Sequence, residues 1–179
     1  MSSQLQIRPA LLDDATSIAT IHVEGWQEAY RGLMPQNYLN SLNISERQQL
    51  WQKRLDSPKS DQKTFVIETK NEVQGFSSFG RSRDFSDLGE IYAIYIAPHW
   101  WRHGLGHQLL TASVGALKEE GYQEAILWVL SKNEQAIRFY RQAGWHSDEV
   151  SRYEKILDVS VQEVRYRTRF ISQTDPPTA

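Results

Sequence analysis

The stretch IYAIYIAPHWWRHGLGHQLL, residues 91–110, decides how this chain is read. It continues a nearly unbroken apolar run, residues 90–97, with the length and the β-branched and aromatic make-up of a strand covered on both faces, and Pro98 ends it. From Gly104 the pattern is helical: Leu105, Leu109, Ala112, Ala116 and Leu117 supply a buried face up to a stop at Gly121. A buried strand therefore passes through a short loop into a helix across Gly104 and Gly106. Glycines there remove side chains that block close approach, while free amides and the helix dipole favour an anion, most naturally a diphosphate. Two glycines one residue apart also serve simply to relieve strain in a turn, so both readings stand on these residues alone. A dinucleotide fingerprint is excluded because Leu109 occupies the third glycine position and the turn follows the fourth strand; a P-loop is excluded because no GK[ST] occurs.

Outward from this unit, a strand at residues 5–9 ends at Pro9. Asp13 and Asp14 are placed to cap a helix whose stripe is Ala15, Ile18, Ala19, His22, Trp26 and Tyr30. Ser45 with Gln48 suggests a capping box opening a second helix, and residues 64–69 and 73–79 flank Lys70 and Asn71 as a hairpin. After the 104–120 helix come a strand at 125–130, a helix at 133–143 closed by Gly144, and strands at 145–153 and 161–170. This order predicts one α/β domain over residues 1–170, with ISQTDPPTA (171–179) as a frayed tail.

The chain has 179 residues, 40% of them hydrophobic, enough for one sizeable core. Twenty basic against 22 acidic residues give a formal charge of -2, with no general electrostatic reason to expect nucleic acid or an anionic membrane. The absence of cysteine removes disulfides, thiolate metal sites and a cysteine nucleophile. The start MSSQLQIRP does not resemble an export signal, and no apolar run approaches the roughly 20 residues of a membrane span, so a cytoplasmic placement is expected.

A second stretch, LWVLSKNEQAIRFYRQAGW (127–145), sets Asn133 and Tyr140 seven residues apart, nearly two helical turns, on one helix face. Individually, Asn133 also reads as a helix cap and Tyr140 as a core aromatic. With the 91–110 unit, however, the chain resembles the GNAT superfamily of acyl-CoA-dependent N-acyltransferases over nearly its whole length. Trp101, Arg102, His103, Gly104, Leu105 and Gly106 occupy that family's pyrophosphate loop, with Trp101 where the family has Gln or Arg. Asn133, Tyr140, Ala143 and Gly144 match its next motif, and residues 21–35 (IHVEGWQEAYRGLMP) are similar to its acceptor-side helices.

The resemblance implies a mixed, mostly antiparallel sheet of about seven strands flanked by about four helices, acetyl-CoA as cosubstrate, and an amine acceptor, small or peptidic. It also implies direct attack in a ternary complex and a common tendency to dimerise. The pantetheine is expected on the main chain of Ile94, Tyr95 and Ile96, the pyrophosphate on residues 101–107 (ending at His107), with Arg102 supplying charge and His103 lending support. Asn133 is expected to bond the cofactor, Tyr140 to protonate the leaving sulfur, and Glu90 to deprotonate the amine through water. Alternation along the strand would place Glu90 on the face of Tyr92, Ile94 and Ile96. Trp26, Tyr30, Tyr92 and Tyr153 are candidates for the acceptor pocket, with Glu24 or Glu28 drawing a cation; core packing is an equal reading of Trp26 and Tyr30. His99, His103 and His107 recur at four-residue spacing, but Pro98 and Gly104 interrupt the helix that would align them, so no metal is expected. An acyl-CoA sensor without turnover is the alternative function.

Overall fold

The computed structural model describes residues 5–156 and 159–170; the expected tail at 171–179 lies outside them. The elements are β1 (Leu5–Pro9), α1 (Ala15–Ala29), α2 (Gln36–Ser41), α3 (Ile44–Asp56), β2 (Gln62–Thr69), β3 (Glu72–Arg81), β4 (Gly89–Ile96), α4 (Leu105–Glu119), β5 (Glu124–Leu130), α5 (Glu134–Gln142), β6 (His146–Ile156) and β7 (Val159–Arg169). The seven strands form one sheet in the order β1-β2-β3-β4-β5-β7-β6, antiparallel throughout except for β4 beside β5. Lys70 and Asn71, both at positive φ (55° and 62°), make the two-residue β2–β3 turn whose twist suits a hairpin.

Period-two alternation divides the sheet residues between two layers. On one face, Phe79, Ile91, Leu127 and Tyr166 pack with Leu110 and Leu117 of α4 and Tyr140 of α5. On the other, Val66 and Phe76 pack under Ile18 of α1 and Trp51 of α3, and Leu130 and Val161 meet Met34 and Leu39. Among the described residues no helix is long and apolar enough to cross a membrane.

Among the described residues five α-helices flank the sheet, in keeping with the expected about four; the short one is α2, six residues entered from Pro35 and too short to show a helical period. Two local expectations are corrected. Asp14 does not cap α1; its carboxylate accepts from the Leu11 amide (2.7 Å) and from Arg8 (2.7 and 3.0 Å), tying β1 to the helix entry. The cap of α3 is Asn43, whose side chain accepts from the Glu46 amide (3.1 Å), two residues before Ser45.

His22 on α1 lies among Trp26, Trp51, Phe76 and Tyr95, and its Nδ1 accepts a hydrogen bond from Trp51 Nε1 (3.2 Å). An indole only donates, so Nδ1 must keep its lone pair. Burial, aided by the charges of Arg47 and Arg54, pushes the imidazole down from 6.5 to about 3. Between those values the unfolded chain binds the extra proton, so stability is full above pH 6.5 and falls as pH drops, by about 1.4 kcal/mol per unit. Urea midpoints measured from pH 7 to 5 should show this slope, and His22→Leu should flatten it by about one proton; an unchanged slope would mean that His22 titrates freely.

Candidate active site

β4 and β5 pair only where Gly89, Glu90 and Ile91 face Ala125, Ile126 and Leu127. In the pairing with β3, Ser78 faces Ala93 and Phe79 faces Ile91, so Tyr92 is an extra, bulged residue at the point where the parallel ladder stops. A bulge bends the strand that carries it. From Tyr92 to Ile96, β4 has β3 on one side and a cleft of about 830 Å³ on the other. The cleft passes through the sheet. Ile94, Ile96, Gly106, Phe139 and Tyr140 bound it on the α4–α5 face, and Trp26, Tyr30, Met34, Trp128, Leu130, Ile156 and Glu163 on the α1 face.

The loop into α4 lines one end. Arg102 (φ 65°) and Gly104 (φ 81°) are left-handed, which curls the backbone so that α4 opens toward the cleft. A side chain at Gly106 would project against Phe139 and Ile96, both cleft walls, so its absence keeps the passage open. The side chains of Arg102, His107 and Arg138 line this end, and none is ion-paired among the described residues. Leu105 also lines the cleft and packs into the core with Ile67 and Leu109. Trp101 donates from Nε1 to the Ile96 carbonyl (2.8 Å), fastening the loop to the end of β4. That bond uses one lone pair of the Ile96 carbonyl. His103 is turned back: its Nδ1 bonds the Trp101 carbonyl (2.9 Å), its ring lies against Trp100, and it does not line the cleft. No group of three or more His, Cys, Asp or Glu side chains placed to hold a metal occurs among the described residues.

Asn133 and Tyr140 both reach the cleft from α5. Asn133 Oδ1 caps the helix by accepting from the Ala136 amide (3.1 Å), and its Nδ2 has no partner among the described residues, so the cap does not exhaust the side chain. Tyr140 is buried, yet its hydroxyl also makes no protein hydrogen bond among the described residues. Burial and the neighbouring Tyr30 push its pKa well above the ordinary tyrosine value, which keeps the hydroxyl protonated. Tyr30 bonds the partly buried Tyr95 through their hydroxyls (3.1 Å), joining the end of α1 to the cleft wall.

A sequence profile of the acetyltransferase (GNAT) family matches residues 24–145. The chain belongs to this family. It is 37% identical over 138 residues to the uncharacterized N-acetyltransferase YuaI of Bacillus subtilis strain 168, covering 75% of this chain and 76% of that protein. By fold it is similar to the PaiA N-acetyltransferase of Thermoplasma acidophilum in complex with coenzyme A, with TM-score 0.78 and 19% identity over 93% of this chain and 99% of that one. It is similar too to Salmonella typhimurium yncA with its cofactor acetyl-CoA, with TM-score 0.70 and 19% identity over 99% and 100% of the two chains. The protein is thus an acyltransferase enzyme of the GNAT type.

In this acetyltransferase the expected base stands apart from the cleft. Because Tyr92 is bulged, Glu90 shares the face of Ala93 and Tyr95, not that of Ile94 and Ile96. It is 0% exposed, and its Oε2 accepts from Ser82 Oγ (3.1 Å) and the Arg83 amide (3.0 Å). Its Oε1 accepts from Arg83 Nε (3.0 Å) and Nη2. Tyr92 does reach the cleft, but its hydroxyl donates to the Arg81 carbonyl, Arg83 lies 5.3 Å over its ring, and burial with the Glu90 charge raises its pKa. Trp26 and Tyr30 both line the cleft and pack in the core, so the two readings of them coexist. Tyr153 is 72% exposed and away from the cleft; Glu24 is exposed, and Glu28 pairs with Arg31 outside it. Trp128 and Glu163, which the sequence reading did not single out, stand there instead. Their available signals were slight: one indole in the aliphatic run of β5, and one carboxylate alternating with three arginines on β7.

Proposed function

We infer that this acetyltransferase binds acetyl-CoA and passes its acetyl group to a primary amine by direct attack in a ternary complex. The observation that carries the reading is the Tyr140 hydroxyl, without a partner among the described residues, at the gap where β4 leaves β5, a gap with a glycine-opened helix start at one end. The features of the cleft suit the cosubstrate. Free amides at the start of α4, with Arg102, His107 and Arg138, are suited to a pyrophosphate. Ile94 and its neighbours in β4 offer an unpaired strand side for the pantetheine amides, and Asn133 Nδ2 offers one more donor. The neighbours solved with coenzyme A and with acetyl-CoA support the same choice.

In the reaction, the amine nitrogen attacks the thioester carbonyl and the tetrahedral adduct is stabilised by a main-chain amide of β4. Tyr140 then protonates the sulfur as the carbon–sulfur bond breaks, and recovers a proton from the nitrogen as the amide forms. The test is release of free coenzyme A thiol from acetyl-CoA across a panel of primary alkyl amines, arylamines and peptide N-termini. Thiol release that depends on an amine, with the acetylated amine found by mass spectrometry, is expected. Tight acetyl-CoA binding without transfer to any amine would favour a sensor instead.

A further inference from the structure

We propose that Glu163 of β7 is the acceptor-side anion of this enzyme, holding the incoming ammonium and taking its proton, and that the acceptor is a cationic alkyl amine with an apolar body. This rests on the transfer reading above and deepens it. Glu163 lies opposite Leu130 in the β5–β7 register, on the sheet face covered by α1, and lines the cleft with Trp26, Tyr30 and Trp128. Its Oε2 accepts from Arg152 Nε (2.8 Å), and its Oε1 has no hydrogen bond among the described residues. The side chain is 20% exposed, open enough to exchange a proton with water.

The charges around it favour a cation. Arg152 is the cation at Glu163, but Asp84 (3.6 Å) and Glu154 (3.5 Å) share it, so three carboxylates divide one guanidinium. Arg83, which faces the same space, is committed to the buried Glu90, and Arg165 to Asp148. The remaining titratable neighbours are Tyr30, just past the end of α1, and Tyr92 on β4, and burial holds both protonated. The deficit of positive charge is met by an ammonium; Arg152 already covers the Trp128 ring (4.1 Å) and Arg83 the Tyr92 ring (5.3 Å), so Trp26 and Tyr30 are the aromatic surfaces left for its carbon skeleton. Glu90, by contrast, has both oxygens occupied by donors and no contact with the cleft.

The step balances. R–NH3+ gives one proton to Glu163 Oε1, and the freed lone pair forms the carbon–nitrogen bond. Tyr140 supplies the proton for the departing sulfur and regains one from the nitrogen. Glu163 then returns its proton to solvent, so each turnover releases one proton. At pH 7 an alkyl amine of pKa near 10.4 is neutral in only about one molecule in 2,500, so this carboxylate acts on the dominant form. An arylamine, already neutral, does not need it.

Two measurements test the assignment. Phenethylammonium titrated into the enzyme saturated with coenzyme A, followed by tryptophan fluorescence, should bind wild type and lose about tenfold or more in affinity in Glu163→Gln. Equal binding, or none to wild type, would overturn the proposal. For the best substrate among butylamine, phenethylamine and putrescine, Glu163→Gln should lower kcat/KM by about 10²-fold at pH 7, recovering toward the amine pKa, while aniline acetylation changes little. Glu90→Gln should keep the wild-type pH profile and lower the melting temperature. A lost pH profile in Glu90→Gln together with an intact one in Glu163→Gln would return the role to Glu90. If wild type transfers acetyl to no amine, the transfer reading fails; if it transfers and Glu163→Gln matches it, only the role of Glu163 fails.

Discussion

Replacing Tyr140 by phenylalanine is expected to lower turnover by about 10²-fold, equivalent to about 2.7 kcal/mol of barrier, while the melting temperature and acetyl-CoA affinity hardly change. The separation follows from the geometry. A buried tyrosine hydroxyl with a protein partner would cost about 1 kcal/mol of stability when deleted. The Tyr140 hydroxyl has none among the described residues and faces the cleft, so its removal takes nothing from the folded chain while, on the proposed mechanism, it withdraws the proton meant for the leaving sulfur. Turnover and thermal unfolding measured on the same purified variant decide the point: nearly intact turnover would reduce Tyr140 to a wall of the cleft. A pre-steady-state burst of free coenzyme A in wild type would show that release limits the rate, and single-turnover measurements would then replace steady-state ones.

Gly106→Val should weaken acetyl-CoA binding by at least 100-fold in calorimetry and leave circular dichroism native. Position 106 is the cleaner of the two glycines to probe. At Gly104 the left-handed backbone (φ 81°) strains any substituted side chain, so lost binding there mixes strain with blockage. At Gly106 a Cβ would meet Phe139 at 3.4 Å and Ile96 at 3.6 Å, ordinary contact distances, and the site lies within the first turn of α4. The fold therefore accommodates the first carbon, and the branches of valine occupy the space where the diphosphate must approach the amides. Gly106→Ala should show a smaller loss. Wild-type affinity in the valine variant would remove the pyrophosphate assignment.

Much of the sheet was legible because each strand carries its own period and stops. Pro9, the Lys70–Asn71 turn, Pro98 and Gly144 mark boundaries that the structure keeps within a few residues, and the run through β4 announced a strand covered on both sides. Asn133, Tyr140 and the glycine turn were legible as motifs because one helix or one loop fixes their spacing. Features set by pairing between distant segments were not. The bulge at Tyr92 is defined by which β3 residue faces which β4 residue, and a single extra residue there moves Glu90 to the other face of the sheet. Glu163 comes to line the same cleft as Trp26 and Tyr30 only after β7 docks beside β5 and α1 crosses above, and the residues stand more than 130 positions apart in the chain. Trp101, by position a departure from the family motif, acquires its role only from the Ile96 carbonyl that it reaches.

A gap that opens on both faces of the sheet would also give the two reactants of the proposed transfer separate doorways. In the proposed reaction the thioester would enter between α4 and α5 and the amine from the side of α1 and the β6–β7 pair, so neither would have to leave before the other arrives. On that reading traffic would be two-way across a common threshold at Tyr140: spent coenzyme A would withdraw through one opening while the acetylated amine, its charge gone, left through the other.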